Sequence, residues 1–211
     1  KNYIKEDPYR HFPTIKREKI NKSKLSLEQI ASIESLDLKK ESNLWHTRNY
    51  FMFSYYCAGI RFSDLCTMKT GNLVDGRLRY KMMKTGNQKS IKLYPPALTI
   101  LEHYNTDDPK EYVFPILEKI YKDPFEVRKH ISSKNALVNK WLKRIAKKAE
   151  IEEKISFHIA RHSYAHNALT KGMGVYSLSK SLGHSDLKVT ESYIKSFDEE
   201  LLDEEMDKLF S

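Results

Sequence analysis

At 211 residues, with 40% hydrophobic and 31% charged residues, the chain can build one sizeable core, or one domain and a linker, and is not a disordered polymer. A formal charge of +9 and a pI near 9.3 call for an anionic partner, with nucleic acid first among them. No apolar run approaches the length of a membrane span, no signal-peptide pattern opens the chain, and two cysteines spaced like Cys57 and Cys66 make neither a redox pair nor a disulfide framework. The expectation is a cytoplasmic protein with two free thiols and no membrane partner.

Residues 1–24 are basic and broken by Pro8 and Pro13, which reads as a linker. Ser26-Leu27-Glu28-Gln29 is a capping-box start for a helix to about residue 36. An aromatic-rich buried helix is predicted over 43–57 and ends at Gly59. Arg61 then opens a short helix with Asp64 one turn on. Such a pair is often a surface salt bridge, but the flanking Tyr55, Tyr56, Ile60 and Leu65 argue against full exposure here.

From residue 72 the period changes. A short strand at 72–74 precedes two alternating runs, 77–82 and 89–93, around Lys84-Thr85-Gly86-Asn87, which reads as a β-hairpin with a Gly-Asn turn. Lys81, Lys84 and Lys89 are the lysines on it that could reach phosphate. Pro95-Pro96 begins a helix through residue 104 with Leu98, Leu101 and Ile100 as its inner face, and 107–109 end it. Tyr112-Val113-Phe114-Pro115 reads as a short buried extended piece. Ser132 or Ser133 is expected to cap a long helix to about 149, with Leu137, Trp141, Ile145 and Ala149 inward and a basic face that includes Lys140 and Arg144. That face is either solvated or follows a DNA backbone.

The stretch 156–195 carries the most information. Phe157, Ala160, Tyr164, Ala165, Ala168 and Leu169 recur at helical spacing, and His158 and Arg161 stand three apart on that helix. Leu182-Gly183-His184 breaks one helix, and Ser185 or Asp186 can cap the next. Tyr193 follows. Singly, each has an ordinary explanation: a core or surface histidine, an arginine paired with a carboxylate, a tyrosine filling a helix end. In 198–211, seven acids against one base give a net −6, leaving the preceding residues at +15. There, Leu201, Leu202, Met206, Leu209 and Phe210 form an apolar stripe on a short acidic helix that needs a surface to dock on.

The combination His158-x-x-Arg161, Leu182-Gly183-His184 and Tyr193 resembles the second box of the tyrosine recombinases, the integrase family that includes phage and conjugative-transposon integrases. Gly59-x-Arg61-x-x-Asp64 is similar to the family's first box, and Lys84 stands where the family carries a mobile hairpin lysine. The resemblance covers about 25–197. It implies an α+β, mostly α fold: a catalytic domain of helices around a small three-stranded antiparallel sheet. Residues 1–24 would arrive from an N-terminal core-binding domain that this sequence does not contain, and 198–211 would be a C-terminal tail passed to a neighbouring protomer in the assembled complex, with docking on its own basic domain or disorder as the alternative in the free chain.

By the same resemblance the substrate is double-stranded DNA with specific recombination sites, and the assembly is a homo-tetramer on paired sites built from monomers. Arg61 and Arg161 would clamp the scissile phosphate, His184 would donate to it, His158 would assist deprotonation of Tyr193, and Lys84 would protonate the leaving oxygen. Asp64 would support the site from behind. Lys81, Lys89, Lys140 and Arg144 would be further DNA contacts. No metal or other cofactor is implied. Two rivals stand beside this reading. One is a DNA-binding module without catalysis on the same scaffold. The other is a metal-dependent hydrolase using His158, His162 and His166, although Ile159 stands where a His-Glu-x-x-His motif needs glutamate.

Overall fold

A computed structural model describes residues 23–104 and 108–184, and the single positions 186, 190, 206, 207 and 210. The expectations for 1–22, for Tyr193 and for most of the acidic tail fall outside the described residues. Within them the order is α1 (Leu27–Glu34), α2 (Asn43–Tyr56), α3 (Phe62–Cys66), β1 (Leu73–Val74), β2 (Arg77–Lys81), β3 (Gln88–Lys92), α4 (Pro95–Glu102), α5 (Pro124–Lys148), α6 (Ile159–Thr170) and α7 (Val175–Leu182). This is the expected α+β arrangement, mostly helical with one small antiparallel sheet.

The helix starts follow their caps. The Ser26 hydroxyl accepts from Gln29 N while the Gln29 side chain accepts from Ser26 N, completing the capping box of α1. Ser42 caps α2 through Trp45 N. α2 buries Trp45, Thr47, Asn49 and all of 50–54, which is more than one face. A helix buried on several sides belongs in the middle of a fold, and α2 packs against α4, α5 and α6. Phe114 meets Tyr50, Phe53 and Tyr104 edge-on with centroids 5.3, 5.0 and 4.8 Å away, so the segment after α4 closes the core over α2. Val113 N bonds Met68 O, fixing that segment as the buried extended piece the sequence predicts. Cys57 and Cys66 are buried free thiols, and burial raises the pKa of both.

The strand order is β1-β2-β3, all antiparallel, with Leu78 opposite Ile91 and Tyr80 opposite Lys89. β1 and β2 join through Asp75 and Gly76, both at positive φ, the pair a tight hairpin requires. Met82 N to Asn87 O and Gly86 N to Met82 O close the β2–β3 turn.

Two helices differ from expectation. On α4 the buried residues are Ala97 and Ile100, while Leu98 is 41% exposed and Leu101 half-buried. The small Ala97 lets the helix approach its neighbour closely, and a reading weighted toward large leucines misplaces the face. α5 begins at Pro124, not after Ser132 or Ser133. Asp123 caps it through Phe125 N, and proline at the first position needs no hydrogen bond there. Its buried residues are Ile131, Val138, Leu142, Ile145 and Ala146, and Leu137 is 44% exposed. A strict four-residue stripe drifts by about 40° per step around an α-helix, so the expected series leaves the core face at its N-terminal end.

Candidate active site

Arg161 is the centre of the site. It lies in the first turn of α6 and is only 2% exposed. Its Nη1 donates to Gly59 O at 2.9 Å and its Nη2 to Leu182 O at 2.6 Å. The same Nη2 stands 3.0 Å from His184 Nε2. A guanidinium has no acceptor, so His184 Nε2 accepts, which leaves the proton on Nδ1 to be donated to Thr190 Oγ1 at 2.8 Å. The turn after α2 and the turn after α7 are thereby fastened to one side chain.

Both turns depend on glycine. Gly59 has φ +63, and a Cβ there would lie 2.6–2.7 Å from Cγ, Cα and Cβ of Arg161. Gly183 ends α7 with φ +70, and its Cβ would lie 2.8 Å from Met82 Cε. Met82 Sδ in turn receives Arg61 Nη1 at 3.4 Å. Arg61, Met82, Gly183 and Arg161 therefore follow one another in space, although they come from four separate segments.

Arg61 is half-buried at the N-cap of α3. It does not form the surface ion pair with Asp64 that the spacing allows. Asp64 is turned inward, with Oδ1 accepting from Met83 N at 2.8 Å and Oδ2 buried without a hydrogen-bond partner among the described residues. Burial is the main cause of its raised pKa, opposed by the Met83 hydrogen bond and the charge of Arg61. Arg61 and the exposed His158 line one groove of about 410 Å³. His158 meets His162 edge to face at 4.5 Å, whereas His166 Nδ1 lies 3.4 Å from Lys24 Nζ. Among the described residues no three His, Cys, Asp or Glu side chains converge as a metal-ligand set.

The three hairpin lysines separate. Lys81 and Lys84 are exposed, Lys84 in the turn itself. Lys89 is 7% exposed and points inward, opposite Tyr80, so it is not the surface group that a direct DNA contact needs. Its Nζ lies 3.5 Å from Ala58 O. Burial, then the charges of Arg161 and Arg61, pull its pKa down to about 7. Lys140 and Arg144 are exposed on α5, Arg144 over the Trp141 ring at 4.5 Å, and neither lines the groove with Arg61. Arg128, Ser132, Asn135 and Asn139 do. Sequence reasoning missed Arg128 because it began α5 too late, and passed over Ser132, Asn135 and Asn139 because they are uncharged and the basic face drew the attention. With the start at Pro124, their spacing of four, three and four marks a single polar face.

Residues 24–200 match the model of the phage integrase family. A tyrosine recombinase of Thermosipho africanus is 30% identical over 151 residues, covering 70% of this chain and 49% of its own length. The chain thus spans about half the length of the curated relatives it matches. The fold is similar to the crystal structure of the XerA recombinase, with TM-score 0.64, 18% identity, and coverage of 93% of this chain and 66% of the other. It is also similar to the Tn1549 transposon integrase in complex with transposon right end DNA, with TM-score 0.60, 12% identity, and coverage of 93% and 68%. With both boxes in family order and Arg161 bridging them, the chain belongs to the phage integrase family of tyrosine recombinases.

Proposed function

We propose that this chain is the catalytic part of an enzyme that breaks and rejoins duplex DNA at specific sites, keeping the phosphodiester energy in a covalent 3′-phosphotyrosine. The observation that carries the proposal is the hydrogen-bonded meeting of Arg161 with Gly59 of the first box and His184 of the second. Phosphoryl transfer needs charge stabilised on the equatorial oxygens and an in-line nucleophile, with little other covalent work. Permanently charged guanidiniums, which can grip two oxygens at once, suit the first task.

In the proposed step the Tyr193 Oη attacks phosphorus while the bond to the 5′ oxygen breaks. His158 assists removal of the phenol proton, since a phenol of pKa near 10 is a weak nucleophile at neutral pH. Lys84, exposed in the hairpin turn, supplies a proton to the departing 5′ oxygen. His184 bonds a phosphate oxygen. Because its Nε2 accepts from Arg161 in this structure, donation to phosphate requires a proton on that nitrogen, gained by protonation or by exchange of tautomer. A 5′-hydroxyl from a partner strand reverses the chemistry. The reading needs no metal or other cofactor, and its strand exchange runs in a homo-tetramer on paired sites, with the acidic tail docking between protomers.

The test is a suicide substrate: a nicked duplex, chosen by selection from randomised sequences, whose cleaved fragment diffuses away. A denaturing gel should show a protein–DNA adduct, absent from Tyr193→Phe, which should still bind the duplex with near wild-type affinity. Binding without any adduct, in this chain and in a longer one, would replace the proposal with a DNA-binding module that lacks catalysis.

A further inference from the structure

Lys89 has no place in the scheme above, and its surroundings are unusual for a lysine. It takes an inward position on β3, in phase with the half-buried Ile91, while Gln88, Ser90 and Lys92 face out. The side chain runs beneath the Gly183 turn, where a Cβ would lie 3.7 Å from its Cδ. Its ammonium reaches Ala58 O at 3.5 Å, and the next carbonyl in the chain, Gly59 O, holds Arg161 Nη1 at 2.9 Å. Ala58 and Gly59 are both at positive φ, so this strained turn presents adjacent carbonyls to two adjacent cations.

An ammonium has three protons to satisfy, and one long contact satisfies little. The groups facing Lys89 do not make up the deficit. From α3, Arg61 adds positive charge, while Asp64, whose Oδ1 bonds Met83 N, acts on Lys89 only as the weakest of the opposing influences and outside ion-pair distance. From the end of α2 and from β2, the Cys57 thiol and the Tyr80 phenol are both held protonated by burial. Arg161 of α6 is a second fixed cation, and Lys92 and Lys180 line the same cleft of about 470 Å³. No carboxylate lies within ion-pair distance of Lys89 among the described residues. The arginines do not release protons, so the lysine is the group that yields.

We propose that Lys89 is a third cation of the phosphate site and a positioning residue for Arg161, giving up its proton in part at neutral pH and fully in mild alkali while the site is empty, and taking it up when the phosphate of DNA arrives. With Lys89 neutral, the empty site holds one buried cation, Arg161, beside the half-buried Arg61, and the Ala58–Gly59 turn is spared the repulsion of a third. The phosphate supplies the missing negative charge. Once protonated, Lys89 grips Ala58 O and stiffens the turn that aims Arg161. This inference rests on the reading of Arg61 and Arg161 as a phosphate clamp.

The experiment follows the lysine 13Cε resonances of the full chain across pH 6–10, alone and with a 30-base-pair duplex. Lys89→Met assigns the signal, with Lys89→Gln as the second variant should the first fold poorly. One resonance should titrate near the value of about 7 in the free protein and move up by about 1–3 pH units with duplex bound. Proton uptake also makes affinity pH-dependent. The wild-type Kd should weaken by up to about tenfold per pH unit above 7, and the variant's should lack that component. A purely structural lysine would leave this profile unchanged. A Lys89 signal that titrates with the surface lysines above pH 9, or a midpoint unmoved by a duplex that binds, overturns the proposal. An adduct on the suicide substrate with an unmoved Lys89 sinks this inference alone. A midpoint that rises without any adduct sinks the cleavage reading and leaves the cation site standing.

Discussion

Gly59→Ala tests the contact on which the site is built. The substitution has two costs. The first is conformational: φ +63 is left-handed, and a Cβ there costs about 1–2 kcal/mol. The second is steric: the new methyl would stand 2.6–2.7 Å from Cγ, Cα and Cβ of Arg161. One of these atoms is helix backbone, so α6 and the turn must separate, and overpacking of this kind adds about 1–3 kcal/mol. The expected loss is therefore about 2–5 kcal/mol. Gly76→Ala is the matched control, because Gly76 has φ +68 and a Cβ there would meet nothing within 4 Å, so it should lose only the first part. Urea unfolding followed by circular dichroism reads both variants, and a lower midpoint at unchanged m-value is the signature of lost stability. Under conditions where Gly59→Ala is still folded, adduct formation should fall about a hundredfold, the effect of misplacing a clamp by roughly 1 Å. Equal stability of the two variants, or wild-type cleavage in Gly59→Ala, would refute the claim that this turn positions Arg161.

Other outcomes follow from the same geometry. Lys84→Ala should slow cleavage, and a 5′-bridging phosphorothiolate substrate should restore it, since a thiolate leaves without an acid; rescue of Lys81→Ala instead would move the acid along the hairpin. Adduct formation should persist in EDTA, and loss on chelation with recovery in zinc or magnesium would favour the histidine-stripe hydrolase. The pKa of Lys89 is lower folded, about 7, than in an unfolded chain, near 10.4, so the unfolded state binds more protons between these values and stability should rise with pH from 7. The rise should approach 1.4 kcal/mol per unit at most. It should fade above about pH 8.5, where the unfolded cysteines begin to ionise and the buried ones do not. Chemical denaturation at pH 7.0 and 8.5 measures it, and a slope that survives in Lys89→Met would assign the proton elsewhere.

Much of this site was legible because its geometry is local. Ser26 with Gln29 announces α1, Gly59 before Arg61 announces a break and a new helix, and Gly183 before His184 announces the end of α7. What escaped was decided by packing. The start of α5 lay in an Asp123-Pro124 signal that the reading, drawn to two later serines, did not use, and with it went Arg128. Lys89 alternates in phase with Ile91 and Leu93, so its inward direction was written in the strand. A lysine is ordinarily counted as surface, and only the turn folding over it shows otherwise.

The bond from Met83 N to the Asp64 carboxylate has a mechanical consequence. It clamps the β2–β3 turn at the residue just before Lys84, while the hydrogen bonds of Met82 with Gly86 and Asn87 tie the far side of the turn to the same point. The tip is thus a short lever with a single fulcrum, and that fulcrum sits on the helix that begins at Arg61. The positions of Lys84 and Arg61 are referred to one anchor, so a displacement of α3 would carry both cations together.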